Sequence, residues 1–155
     1  MARPSAPIPH PSGSDVTDAS DEKSREKTVS ADIEVARKVL RAEIAGLEAL
    51  IDSLNGNFNA AIRVLADAED RVIVSGMGKS GHIARKIAAS LASTGTPAQF
   101  VHPAEASHGD LGMITTDDAI LALSNSGETA EMGDVIAYSR RFAIPLVAIT
   151  AVAGS

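Results

Sequence analysis

Two short runs in this sequence hold the residue types that bind phosphate and move protons. The first, Gly76-Met77-Gly78-Lys79-Ser80-Gly81, follows the strand-forming residues Val72 to Ser75. Glycines after a strand and before a helix leave bare backbone N–H groups beside a positive helix end, which suits an anion such as phosphate. The spacing Gly76, Gly78, Gly81 also satisfies the G-x-G-x-x-G fingerprint of dinucleotide sites. A nicotinamide site wants an acidic residue at the end of the second strand, but that strand ends in Val101-His102-Pro103, with Glu105 past the proline. Gly78-Lys79-Ser80 imitates the tail of a P-loop, yet the first glycine of that motif would fall on Ile73 inside the strand, and the P-loop is rejected. Lys79 stands in the first helical turn, where a cation opposes the helix dipole. Local stability does not ask for it there, which favours a functional role over that of a solvated lysine.

The second run is Ser124-Asn125-Ser126-Gly127-Glu128-Thr129. Hydroxyls, an amide and a glycine just before a helix can wrap a phosphate monoester through neutral donors, helped by the helix dipole. An ordinary N-cap would need only Ser126 or Thr129, so the surplus of hydroxyls argues for a ligand. Glu128 and Glu131 share a face in the first turn of the following helix, where carboxylates belong for capping alone. His102 and His108 stand on one loop at a spacing that neither demands nor forbids a shared metal.

The elements that must position these runs follow from periodicity. Met1 to about Val29 holds Pro4, Pro7, Pro9 and Pro11 and then a charged tract with hardly any apolar residue, and it reads as a disordered tail. From Ser30 the pattern is helical, with Leu40, Ile44, Leu47, Ile51 and Leu54 in a stripe ended by Asn55-Gly56. The stripe could be a heptad seam for a partner, but it lasts only about two heptads, and packing on its own domain is the preferred reading. A second helix covers about Asn57 to Asp67. Strands are expected at Val72 onward, Ala98–Val101, Ala119–Leu123 and Pro145–Thr150, with helices from Gly81 to about Thr94 and from Ala130 to Phe142, and a loop from Ala104 to Thr116. This alternation predicts an α/β fold, a doubly wound parallel sheet with the two N-terminal helices packed outside it. The C-terminal ends of parallel strands share one edge, so the two runs converge there.

Bulk properties narrow the function. A chain of 155 residues, 45% hydrophobic and 3% aromatic, is one aliphatic-cored domain by length. No apolar run reaches the roughly 18 residues of a spanning helix, and the proline-rich start has no apolar core of a signal peptide. The cytoplasm is the default location. The absence of cysteine excludes a disulfide scaffold, a thiolate metal site and a cysteine nucleophile. A formal charge of −6 without a basic cluster disfavours broad nucleic-acid binding, though a small anion could still bind locally.

With these residues assembled, the chain resembles the sugar isomerase (SIS) domain, a flavodoxin-like fold, and within it the bacterial arabinose-5-phosphate isomerase family. The similarity runs from about residue 30 to 150. It is carried by Gly76-Met77-Gly78-Lys79-Ser80-Gly81-His82, by Ala92-Ser93-Thr94-Gly95-Thr96-Pro97, by the run Val101 to Gly112 that contains Ser107-His108-Gly109-Asp110-Leu111-Gly112, and by Ser124 to Thr129. The resemblance implies an aldose-ketose isomerase that interconverts ribulose 5-phosphate and arabinose 5-phosphate, feeding Kdo and lipopolysaccharide synthesis without a redox cofactor. It implies catalytic roles for Lys79 and Glu131, substrate contacts from Ser80, Gly95, Thr96, His102 and His108, and a phosphate loop of Ser124, Asn125, Ser126 and Thr129. It also implies that inhibitory zinc can bind at His102, and a homo-oligomer, a tetramer in the family. SIS domains serve regulators too, so a non-catalytic phosphosugar-sensing module is the alternative. The family continues past the fourth strand with a fifth strand, more helices and commonly a pair of CBS domains, and that part carries a further catalytic glutamate and histidine. Residues 30–155 are therefore read as the N-terminal part of a SIS domain, incomplete at the C-terminus. Phosphosugar binding with severely reduced turnover is the expectation for such a chain.

Overall fold

The computed structural model describes residues 19–152. The chain divides into two compact units after Ser53. The described residues of the first form a single long helix, α1 (Ala19–Ser53). Its sequence explains its length: it has no proline and is rich in alanine, glutamate, lysine, arginine and leucine, the strong helix formers. Along it Arg37 donates to Glu34 at 2.7 Å, one turn away. The helix begins well before Ser30, so the expected tail is helical over 19–29, while residues 1–18 lie outside the described residues. A charged tract with few apolar residues lacks the material for a core, but it forms a helix readily, and composition alone does not separate the two. Within this unit the apolar stripe of α1 is exposed, with Leu40 at 57% and Leu47 at 61%.

The second unit opens with α2 (Gly56–Ala66), whose N-terminus is capped by the Asn55 side chain accepting from the Asn57 N–H at 2.8 Å. Then follow β1 (Val72–Gly76), α3 (Gly78–Ser93), β2 (Ala98–Val101), the one-turn α4 (Pro103–Ala106), β3 (Ala119–Leu123), α5 (Gly133–Phe142) and β4 (Leu146–Ile149). The four strands form one all-parallel sheet in the order β2-β1-β3-β4. Every residue of β1 and β3 is buried, as in a sheet covered on both faces, and their continuous apolar runs reflect that. Val72, Val74, Leu121 and Leu123 meet Ala84 and Ala88 of α3 and Leu65 of α2 on one face. On the other, Ile73 and Ile120 meet Ala106 of α4 and Val135 of α5. Helices on both faces make the sheet doubly wound. Short side chains at Ala84 and Ala88 let α3 approach closely.

The end of the sheet where the strands begin is closed by a charged clip. Asp118, 1% exposed, accepts from the Arg71 backbone N–H at 3.1 Å, its Nε at 3.3 Å and the Thr115 N–H at 2.8 Å. The Arg71 guanidinium also donates to Gln99 and to the Met113 carbonyl, tying β1, β2 and the segment before β3 together.

Two expected elements differ in detail. The loop over 104–116 carries α4 and a 3-10 turn (Asp110–Met113). The helix expected from Ala130 starts as a separate 3-10 turn (Ala130–Met132) and becomes α-helical only at Gly133. Among the described residues no helix is long and apolar enough to cross a membrane.

Candidate functional site

From β1 the chain crosses over α3 to β2 on one side, whereas β3 lies on the other side of β1. The crevice outside the C-terminal ends of β1 and β3 is therefore the topological switch point, where open α/β sheets bind ligands. The turn Gly76–Gly78 leaves β1 here and the loop Ser124–Thr129 leaves β3. Between them is an open cleft of about 680 Å³ lined by Lys79, Ser80 and Ile83 of α3, by Ser124 and Asn125, and by Ile149 to Ala151 at the end of β4.

The glycines of the first turn have separate tasks. Gly78 adopts φ +55°, a conformation that L side chains rarely take. A Cβ on Gly81 would stand 2.6 Å from the Gly76 carbonyl oxygen, and one on Gly76 would meet the Leu123 and Ser80 carbonyl oxygens at 3.1 Å. These two are thus close-approach positions that let the first turn of α3 sit on the ends of β1 and β3. The residue before the helix, Met77, is extended and makes no side-chain cap, so the first-turn N–H groups of α3 have no side-chain acceptor. An uncapped helix start beside Lys79, which lines the cleft, is a fitting place for negative charge.

In the second loop the Ser124 hydroxyl is 2.7 Å from the Thr129 hydroxyl and accepts from the Gly127 N–H at 3.0 Å. Ser126 Oγ accepts from the Glu128 N–H at 3.2 Å. Gly127 takes φ +76° to close the turn. Thr129 precedes the 3-10 turn without capping it by its side chain, so the hydroxyls serve the loop itself and not a helix cap. The loop is held from the far side by Ala151 N–H donating to the Asn125 carbonyl at 3.2 Å.

The remaining candidates are distributed unevenly. Glu131 is exposed in the 3-10 turn that follows the loop, and that turn packs against α4, the helix that His102 caps. Met132, in the same turn, reaches the buried Ser75 hydroxyl at 3.9 Å and pins the turn beside β1. His102 Nδ1 accepts from the Ala104 N–H at 3.3 Å, which leaves Nε2 as its free nitrogen. A zinc ion there would meet that single nitrogen, and among the described residues no three His, Asp or Glu side chains gather to complete a site. The residues do not fit a metal centre. His108 is exposed just beyond α4. Gly95 and Thr96 precede β2 and so lie at the opposite edge, around a hollow of about 320 Å³ shared with Asp70 and Arg71. Within one chain they do not join the Lys79 cleft. The sequence reading missed Ile83, Thr150 and Ala151, although the last two, as the residues after β4, obey the same edge rule as Ser124.

An α/β sheet wound on both faces brings a hydroxyl-rich loop and a lysine together at its switch point, a set of donors suited to an anion. A SIS domain model matches residues 64–155, and the chain belongs to the SIS family. It is 50% identical over 118 residues to arabinose 5-phosphate isomerase KdsD of Pseudomonas aeruginosa, a match covering 76% of this chain and 36% of that protein. The Francisella tularensis protein of the same name is 46% identical over 128 residues, covering 81% of this chain and 39% of its own length. Among solved structures, an Escherichia coli CFT073 protein in complex with arabinose 5-phosphate superposes with a TM-score of 0.76 at 41% identity, covering 81% of this chain and 67% of that one. The chain thus spans little more than a third of the length of these curated relatives.

Proposed function

We propose that this chain forms the phosphosugar-binding part of an arabinose-5-phosphate isomerase, acting on D-arabinose 5-phosphate and D-ribulose 5-phosphate in the cytoplasm as a step toward Kdo. The observation that carries the reading is the meeting of Lys79 with the Ser124–Thr129 loop at the crevice between β1 and β3. Similarity to the arabinose 5-phosphate complex and to the KdsD proteins supports it.

The Ser124, Ser126 and Thr129 hydroxyls and the loop N–H groups hold the phosphate as neutral donors, and the uncapped start of α3 adds its dipole. The Gly127 and Glu128 N–H groups donate to Ser124 and Ser126 within the loop, so a bound phosphate exchanges one set of acceptors for another. Isomerisation runs through an enediol. A base takes the proton from C2 of the aldose while an acid protonates O1, giving the enediol. The base then delivers its proton to C1 while O2 gives its proton back to that acid's conjugate base and becomes the ketone, with no net oxidation. Lys79 stabilises the negative oxygen that develops on the way. Glu131, one turn beyond the phosphate loop, is the candidate base.

Conversion of ribulose 5-phosphate tests this reading. Lys79→Met is expected to lower turnover about a hundredfold or more, the scale of losing one donor to a developing oxyanion, while phosphosugar affinity changes only a few-fold. Turnover retained in Lys79→Met removes the lysine's role. A wild-type chain that binds the phosphosugar and never converts it fits the non-catalytic sensing module instead.

A further inference from the structure

The penultimate residue of β1, Ser75, is a hydroxyl in an otherwise apolar and fully buried strand, and it is 0% exposed. A buried hydroxyl costs free energy unless it is hydrogen-bonded. Ser75 Oγ donates to the Val101 carbonyl of the neighbouring β2 at 2.8 Å, and the Met132 thioether packs on the same oxygen at 3.9 Å. Val101 immediately precedes His102, and Met132 immediately follows Glu131. The carbonyl that Ser75 holds belongs to the peptide leading into His102. His102 in turn starts α4, its Nδ1 and its own carbonyl accepting from the Ala104 and Ala106 N–H groups at 3.3 and 2.9 Å. On the other side, the 3-10 turn that carries Glu131 is closed by the Met132 N–H donating to the Thr129 carbonyl at 3.0 Å. Val101 and Met132 are buried like Ser75, so both contacts are shut away from solvent.

We propose that Ser75 is a positioning residue, its hydroxyl fixing the Glu131 turn and the His102 corner to each other across the end of β1. The proposal rests on the reading of Glu131 as the base and His102 as a substrate contact. The turn also packs directly on α4, but apolar packing is non-directional, whereas a hydrogen bond orients the peptide it holds. Without the hydroxyl, the peptide before His102 loses a donor, and α4, a single turn, has few bonds of its own to hold its place. The phosphate loop stands apart from this link, since its hydroxyls and N–H groups bond within Ser124–Thr129. Ser75 therefore bears on the chemical step and leaves phosphosugar affinity nearly unchanged.

The test compares Ser75→Ala and Ser75→Cys, which lose the strong donor with little change of size, with Ser75→Thr, which keeps it. In amide hydrogen exchange of the full chain, the Ala104, Ala106 and Met132 N–H groups are expected to exchange about tenfold faster in the first two variants, the scale of one buried hydrogen bond. The Ile120 N–H, held by the Pro145 carbonyl at the far end of the sheet, is expected to change by less than about twofold. In conversion of ribulose 5-phosphate, the same two variants are expected to lose about tenfold in kcat with KM within about twofold. Ser75→Thr is expected to stay within about threefold of the unaltered chain in both readouts. A serine that only stabilises the core would speed all four amides alike, and that pattern overturns the proposal. So does selective loosening with kcat unchanged, or an equal loss in Ser75→Thr. A chain that converts no ribulose 5-phosphate before any substitution fails the isomerase reading alone, and the exchange pattern then decides the positioning by itself.

Discussion

Lys79 and the hydroxyls of Ser124 and Ser126 are the residues on which the proposed chemistry turns, and their surroundings predict distinct failures. Ser124 is half-buried and holds both Gly127 N–H and the Thr129 hydroxyl. Ser124→Ala is therefore expected to weaken phosphosugar binding about tenfold, since one hydrogen bond to a charged group contributes on the order of 1.5 kcal/mol or more. The glycines fail differently. Gly81→Ala forces a Cβ into the Gly76 carbonyl at 2.6 Å and is expected to lower stability by about 1–3 kcal/mol in urea unfolding, while Gly112→Ala, which meets nothing within 4 Å, leaves it nearly unchanged. At this scale the sequence was informative about kind and weaker about purpose. The spacing of Gly76, Gly78 and Gly81 suggested a dinucleotide or phosphate cradle, but two of the three serve backbone packing, which spacing cannot distinguish from ligand approach. Gly95 and Thr96 were assigned by similarity residue by residue. Their position before β2 already implied the opposite edge of the sheet, and that was legible without coordinates.

The elements repeat the lesson with boundaries. Strands β1 to β4 fall within a residue or so of their expected spans because continuous apolar runs between glycine and proline punctuation allow little else. Helix ends were harder. The last helix starts in a 3-10 turn that places Glu131 beside α4, a local choice that periodicity does not encode. It ends at Ala143, a non-glycine residue with φ +54°, exposed and followed by the buried Ile144. Ala143→Gly is expected to stabilise the protein by about 0.5–1 kcal/mol, because glycine relieves the left-handed penalty at a C-terminal cap, and a rise in midpoint temperature checks it. The Arg71–Asp118 clip was invisible in sequence, since its partners are far apart in the chain. Asp118→Ala leaves the Thr115 N–H without its side-chain acceptor and Arg71 with only Asp70, Gln99 and the Met113 carbonyl, and is expected to cost about 1–3 kcal/mol, measured by denaturant titration.

For the whole molecule, the strand order supplies what the sequence alone did not: β3 beside β1, opposite β2, makes their shared end the one crevice where the winding reverses. That geometry gathers Lys79, Ser80, Ser124 and Asn125 into a single cleft and sends Gly95 and Thr96 elsewhere. The central claim, that this cleft recognises a sugar through its phosphate, is tested most directly by calorimetric titration of the chain with arabinose 5-phosphate and with arabinose. The account predicts that arabinose binds at least about a hundredfold more weakly, since the charged hydrogen bonds of the Ser124–Thr129 loop are lost, and that Ser124→Ala and Ser126→Ala weaken only the phosphosugar. Equal binding of the two sugars, or phosphosugar affinity unchanged in both serine variants, would contradict it.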